Sequence, residues 1–411
     1  MSAFNQSLRL LLTPRFGTFC FASLLSNIGT WAQQVAEPWL LLSIGASSFL
    51  IGLDAFVQAA PAWVLILAGG ILADRADRRR VIATFQTIQM LCPAVLVVLL
   101  MTNTVAPWIV VALSLVVGIT DALSMPSFQT IVPSIVRRDQ IAGALALNAT
   151  QFNLSRILGP ALAGMLMASV GAIGCFAANA ASYLPFIGVA WWILPRRSAP
   201  PTADESLDRR HLFSGLRHIA GASHVRGALL TVLATSMLCG PLIVFCPVLV
   251  KDVLHGDASE FSLAIGAFGV GGLLGAIGLL GIEAQRDRRW LSSGFAASYG
   301  AITALAAINP WFWGLPILLV FAGLSMSISN TSANSLLQAT VAASRRGRTI
   351  SLFMLAVRGG MSIGSLLTGI SVNLIGVRYA LLINGVLALI AHIVIGRRWT
   401  STALVTTAHA L

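Results

Sequence analysis

The chain has 411 residues, 57% of them hydrophobic and only 10% charged, with a mean hydropathy of +0.85. Soluble domains carry about 25% charged and 45–50% apolar residues, so a coat this thin excludes a soluble enzyme or binding module, and the solvent is lipid. Lys+Arg total 26 against 14 Asp+Glu, a net charge of +12. The basic residues fall in short clusters between long apolar runs, which leaves no continuous groove for nucleic acid.

A helix needs about 20 apolar residues to cross a bilayer. Taken in chain order, the apolar runs predict twelve spans: 16–44, 47–73, 81–102, 107–131, 144–170, 172–194, 226–250, 260–283, 290–308, 311–339, 349–375 and 377–396. The first run is too long for a cleavable signal core and leads straight into the next. The stretch 195–225 is rich in proline, charge and small polar residues and reads as a cytoplasmic linker, with room for a short amphipathic helix near Leu212–Ile219. The expected organisation is therefore an all-α integral membrane protein of twelve transmembrane helices in two pseudo-symmetric six-helix bundles, 1–194 and 226–411, joined by 195–225.

Orientation follows from arginine. The N-terminus, alternate connections and C-terminus hold 22 of the 26 basic residues; the opposite connections hold Lys251 and Arg378, and Arg156 and Arg358 lie inside spans. That split predicts cytoplasmic termini and a cytoplasmic linker. The halves also echo one another. Gly159, Gly164, Gly171 and Asn179 return at an offset of 205 residues as Gly364, Gly369, Gly376 and Asn384, and Asp77-Arg78-Arg79 resembles Asp287-Arg288-Arg289. Internally repeated bundles with a midplane site are the pattern of secondary transporters.

Charges inside spans carry the most information, because each costs at least ~2.5–3.5 kcal/mol in lipid and must face a cavity or a partner. Glu37, followed by Pro38 and Trp39, lies in the first span. Asp54 lies near the outer end of the second, where wetting at the membrane face is the expectation. Asp121 sits about 12 residues, or ~18 Å, from the cytoplasmic end of the fourth, and this depth makes it the first candidate for a proton site, ahead of Glu37. Arg156 and Arg358 read equally as structural groups and as ligand contacts. Trp31, Gln33, Gln34, Trp39, Phe56 and Gln58 would suit an aromatic or amphipathic ligand, and equally suit helix packing.

The loop Gly70-Ile-Leu-Ala-Asp74-Arg75-Ala-Asp77-Arg78-Arg79-Arg80 resembles the signature Gly-x-Leu-Ala-Asp-Arg-x-Gly-Arg-Arg of the major facilitator superfamily, with Asp77 in place of the second glycine. Trp31-Ala-Gln-Gln-Val-Ala-Glu-Pro-Trp39-Leu and Asn148-Ala-Thr-Gln-Phe-Asn-Leu-Ser-Arg156-Ile-Leu-Gly159-Pro160-Ala-Leu-Ala-Gly164 also look like its branch of enterobactin-exporter and macrolide-efflux-like proteins. The resemblance covers essentially the whole chain. It implies that Gly70, Asp74, Arg75, Arg78 and Arg79 form a cytoplasmic latch, where the plainer reading is a topology anchor. Gly70 should let a neighbouring helix approach closely, and Asp74, at a helix C-terminus, needs a cation or a helix N-terminus nearby. Gly159, Pro160 and Gly164 resemble the fifth-helix motif of antiporters, either a hinge or a packing kink.

Other signals are weak. Cys20, Cys92, Cys175, Cys239 and Cys246 lie in apolar runs without metal-ligand spacing. The glycines of the eighth span, Gly266 to Gly281, lack the strand–turn–helix context of a phosphate loop and read as close helix packing. No histidine pair or Ser/His/Asp grouping suggests an enzyme, and no filter signature suggests a channel. The expectation is a monomeric exporter of an amphipathic organic molecule, a drug or siderophore, in the bacterial inner membrane. It would be driven by protons, without cofactor, metal or nucleic acid. Metabolite import, a membrane sensor and a lipid-modifying enzyme are the alternatives.

Overall fold

The computed structural model describes residues 9–129, 131–193, 223–280, 288–340 and 346–408. They are helical apart from short connections, and no strand occurs among them. Most of the expected linker lies outside the described residues, including the stretch where a short helix was expected. The described residues divide into two compact units, one drawn from Met1–Ala46 and Val57–Thr202, the other from Ser47–Phe56 and Ala203–Leu411.

In the N-terminal unit, α1 spans Pro14–Ser43, with Pro14 in its first turn where a missing N–H costs nothing. It ends at Gly45, whose φ of +79° suits glycine. The second span, α2, is broken into Ser48–Ala59 and Pro61–Arg75, because Pro61 cannot donate into the preceding turn. Its first piece belongs, as far as Phe56, to the other unit. Next come α3 (Arg78–Met101), α4 (Pro107–Gln129, then Ile131–Ile135), α5 (Ile141–Ser169) and α6 (Ala172–Ile193). The C-terminal unit starts with α7, which runs from Ser223 to Val253 through π-turns at Thr235–Cys239 and Leu249–Val253. Pro241 and Pro247 lie between those turns and remove two helical hydrogen bonds. It continues with α8 (Ala258–Leu280), α9 (Arg288–Ile308), α10 (Gly314–Thr340), α11 (Arg346–Ile375) and α12 (Val377–Ala408).

Ten stretches among the described residues are long and apolar enough to cross a membrane. The other two expected spans fall on α1 and α5, helices of 30 and 29 residues that carry more polar side chains. Within the N-terminal unit, α1 packs on α5 and α6, α3 on α4 and α6, and α2 on α4. Within the C-terminal unit, α7 packs on α11 and α12, α9 on α10 and α12, and α8 on α10. The order of partners is the same in both, as a duplication requires.

Backbone detail repeats too. Gly171 and Gly376 both adopt left-handed φ, +76° and +82°. A Cβ on Gly159 would strike Trp31 of α1, and one on Gly364 would strike the backbone of Met237 in α7. A Cβ on Gly118 of α4 would lie 2.7 Å from the Val57 carbonyl of α2, and one on Gly275 of α8 2.7 Å from the Leu324 carbonyl of α10. Lipid tails are as apolar as Leu, so such close approaches hold membrane helices together where the hydrophobic effect cannot.

Candidate functional site

A buried polar cluster in the N-terminal unit lies where α1, α4 and α6 meet. Gln33 and Glu37 are one turn apart on α1, and the Gln33 amide donates to the Glu37 carboxylate at 3.2 Å. Ser114 of α4 donates to the other carboxylate oxygen. Asn179 of α6 donates to the Gln33 carbonyl at 2.6 Å, so two amides point their donors in sequence towards one carboxylate. Glu37 is 3% exposed, and Gln33, Ser114 and Asn179 are buried with it. Gly29 allows this approach, since a Cβ there would lie 2.9 Å from the Asn179 side-chain oxygen. One turn on along α6, buried Tyr183 reaches Thr30 and Asn179 and lies in the electrostatic field of Asp121. Asp121 itself is partly exposed.

This arrangement can hold a carboxyl group in either protonation state. Charged, Glu37 accepts from both neighbours. Neutral, it needs an acceptor, and the Ser114 hydroxyl can reverse its role while the Gln33 amide cannot. Ser114, Asn179 and Tyr183 are absent from the charged residues that sequence reasoning picks out. The signal was there in the spacing. Thr30, Gln33 and Glu37 recur at helical intervals, as do Ser114 with Asp121 and Asn179 with Tyr183, which puts each set on one helix face.

The remaining candidates scatter. Asp54 is not wetted as expected but buried, at 6% exposure. Its piece of α2 packs on α11, where Gly52 abuts the Ser365 carbonyl and the Ser362 hydroxyl donates to the Phe56 carbonyl at 3.1 Å. The Arg156 guanidinium lies over the Trp31 ring at 5.4 Å. Arg358 is half-buried on α11; Trp39 and Gln58 are half-buried, and Gln34 is exposed.

Where α2 gives way to α3, the side chains of Asp74, Arg75 and Arg78 lie outside the described residues. Gly70 does not make the expected close approach, since no described atom comes within 4 Å of its Cβ position. Gly69 does, since a Cβ there would lie 2.8 Å from the carbonyls of Ala122 and Leu123, because one residue turns the helix face by about 100°. Asp77 caps α3 by accepting from the Arg79 amide at 3.0 Å, which gives the departure from glycine a local purpose. Arg79 stacks on Trp191 of its own bundle at 4.6 Å. On α5 the helix runs unbroken through Pro160, with Gly159 packed on α1 and Gly164 half-buried. The eighth-span glycines pack as expected on one side only: Gly271 and Gly275 meet α10, while no described atom approaches Gly266 or Gly278.

The chain is similar to known transporters. The chain is 25% identical to the staphyloferrin A transporter of Staphylococcus aureus, over 90% of its length and 92% of that protein. It is 25% identical to the multidrug efflux pump Tap of Mycolicibacterium fortuitum, over 85% and 87%, and 26% identical to the enterobactin exporter EntS of Shigella boydii, over 88% and 86%. Among solved structures, the nucleoside transporter NupG superposes with a TM-score of 0.74 at 14% identity, covering 94% of this chain and 99% of that one. A bacterial homologue of the lysosomal transporter Spinster gives 0.71 at 16%, covering 95% and 98%. The family described as transmembrane secretion effector matches residues 7–405. The protein is thus a multi-pass membrane transporter rather than an enzyme, and belongs to the transmembrane secretion effector family of the major facilitator superfamily.

Proposed function

We propose that the protein exports an amphipathic organic molecule, a siderophore or drug, from the bacterial cytoplasm across the inner membrane by proton antiport and alternating access. Both termini are then cytoplasmic, the chain crosses the membrane twelve times as a monomer, and protons replace any cofactor. The named relatives support the export reading. The observation that carries the coupling is the Glu37 carboxylate, buried in an apolar bundle yet held by Gln33 and Ser114. An acid there is too costly to keep for packing alone and can exist with or without its proton. On this geometry Glu37 precedes Asp121, reversing the ranking that depth alone gives. Asp121 follows as a second acid in the same polar interior; Arg156 and Arg358 are substrate-contact candidates. The loop residues Asp74, Arg75 and Arg78 act as the latch, and Gly159 and Pro160 as the hinge.

The test is transport in proteoliposomes of a siderophore panel and the dye ethidium under an imposed proton gradient. Glu37→Gln should abolish accumulation against a concentration gradient and leave counterflow exchange largely intact. Uphill transport unchanged in both Glu37→Gln and Asp121→Asn would overturn the assignment.

A further inference from the structure

We infer that the loop between α9 and α10, together with Arg378 at the start of α12, holds the phosphodiester of an anionic phospholipid at one boundary of the bilayer. This rests on the membrane placement alone, and on neither export nor proton coupling. Three helix ends meet there. α9 stops at Ile308, α10 starts at Gly314 and α12 starts at Val377, each bounding a stretch long and apolar enough to cross a membrane. The hydrocarbon ends at this level and headgroups begin. The loop is built around buried Asn309. Its side-chain amide donates to the Trp311 carbonyl at 2.5 Å, and its side chain fills the space that a Cβ on Gly314 would take. The Leu315 amide closes the turn onto the Phe312 carbonyl at 2.8 Å, and Phe312 meets the Trp313 ring edge-on at 5.4 Å. Arg378 donates to the Asn309 carbonyl at 3.3 Å, tying the loop to α12. Held in this way, Trp311 and Trp313 still stand exposed, as do Arg378 and Tyr379. Exposed indoles at a span end suit an interface, with the ring body among acyl chains and the N–H among headgroups.

The N-terminal unit has an anchor without the arginine. At the offset of 205 residues Trp313 matches Trp108, which is also exposed, so one indole in each unit belongs to the shared framework. Trp311, Arg378 and Tyr379 instead match Ala106, Ile173 and Gly174. Arg378 also runs against two general trends. It shares with Lys251 the connections opposite those that hold 22 of the 26 basic residues, and the first turn of a helix disfavours a cation. Its bond to a carbonyl occupies one of five N–H groups, and no carboxylate pairs with it among the described residues. At headgroup level the matching acceptor is a phosphate, which a guanidinium can meet with two N–H groups at once. Phosphatidylcholine carries its own cation beside that phosphate and phosphatidylglycerol does not. The occupant selected is an anionic phospholipid.

Hydrogen exchange of the full chain in nanodiscs reads this loop apart from the arginine clusters elsewhere. Nanodiscs of phosphatidylcholine alone are compared with an equimolar mixture of phosphatidylcholine and phosphatidylglycerol. The mixture should slow exchange at the 309–315 amides roughly fivefold, as a ligand that binds only the closed loop does, and leave 102–108 unchanged. Arg378→Gln keeps a donor for the Asn309 carbonyl and should lose the lipid dependence, Arg378→Lys should keep part of it, and Trp311→Ala should weaken it. Should Arg378→Gln fail to stay monodisperse, the lysine and alanine variants read the same dependence. Faster exchange in Arg378→Gln with its lipid dependence intact would make the arginine a brace for the loop and overturn the inference. Equal exchange of wild type in the two membranes would do the same. So would protection by soluble glycerol phosphate in phosphatidylcholine alone, which would make the occupant a free anion.

Discussion

The two units share a framework and differ in what they enclose. Helix partners, left-handed glycines and the Gly159 and Gly364 approaches recur at matching places. Yet the N-terminal unit buries a carboxylate among amides and a hydroxyl, whereas the residues 205 positions beyond Gln33, Glu37 and Ser114 are Leu238, Leu242 and Leu319. Leu242 and Leu319 are fully buried. Apart from Asp54, which the first piece of α2 brings to it, the polar chemistry described in the C-terminal unit is mostly uncharged: Ser292 and Ser329 exchange hydroxyl-to-carbonyl bonds of 3.2 and 2.9 Å, Asn384 donates to Thr368 at 2.8 Å, and His392 meets Thr235 at 3.2 Å. Framework and chemistry are therefore separable. Packing demands the same small residues in both halves, and the proposed proton chemistry demands an acid in one.

The largest expected effect strikes the shared framework. Gly159→Val and Gly364→Val should each lose most folded protein, because the added carbons meet the side chain of Trp31 or the backbone of Met237. Overpacking costs about 1–3 kcal/mol where neighbours can relax, and a backbone neighbour relaxes least. Gly70→Val, in open space, should fold normally. Monodisperse yield after detergent extraction reads all three; a tolerated Gly364→Val would break the structural equivalence of the halves.

The second prediction separates framework from chemistry. Asn179 and Asn384 are equivalent in sequence, but Asn179 donates to the amide that supports Glu37 and Asn384 to a threonine. Leucine at either place leaves a buried acceptor unmatched, at about 1–3 kcal/mol. Thermal midpoints should fall alike. Only Asn179→Leu should change how transport depends on external pH, and a shared change would place the coupled proton outside the Glu37 cluster.

How much of this was legible beforehand follows the same division. Helix positions, the paired glycines and the acids stand out in the sequence, since hydropathy, turn geometry and charge cost are local. The burial of Asp54 was not, because it depends on which helix covers that piece of α2. Gly69 and Gly70 are indistinguishable until the facing helix is known. The π-turns of α7 leave only Pro241 and Pro247 as a trace. Ser114 and Asn179 are neutral, so their helical spacing marks a shared face but no role until Glu37 is seen to need donors.

A smaller effect belongs to the Asp-Arg-Arg run. Arg78 and Arg288 both open a helix, where the dipole disfavours a cation, so neither is there for helix stability. If Asp74 and Arg78 form a latch, Arg78→Ala should shift the ratio of access states roughly tenfold, equal to about 1.4 kcal/mol. Paired spin labels on either face would record the shift. Normal populations and transport in well-expressed Arg78→Ala would leave the run as a topology anchor.

The smallest effect concerns the connection between α7 and α8. Asp257 caps α8, its carboxylate accepting from the amides of Ser259 and Glu260 at 2.9 and 3.0 Å and from the Ser259 hydroxyl at 2.6 Å, while Glu260 accepts from the Asp257 amide at 3.1 Å. These bonds, the Ser259 side chain foremost, hold the Asp257 carboxyl below the ordinary carboxylate range. A carboxyl lowered in the folded state stabilises it fully above the unfolded carboxylate range, and that contribution disappears as pH falls through the folded value. Asp257→Ala should therefore speed hydrogen exchange at the first amides of α8 roughly fivefold near neutrality, in keeping with a lost cap. The difference between the proteins should shrink only once the pH has fallen below the ordinary carboxylate range, because the wild-type carboxyl keeps its charge until then. A difference that persisted unchanged into acid would mean that the first turn of α8 depends on its packing against α10 and not on the charge at its start.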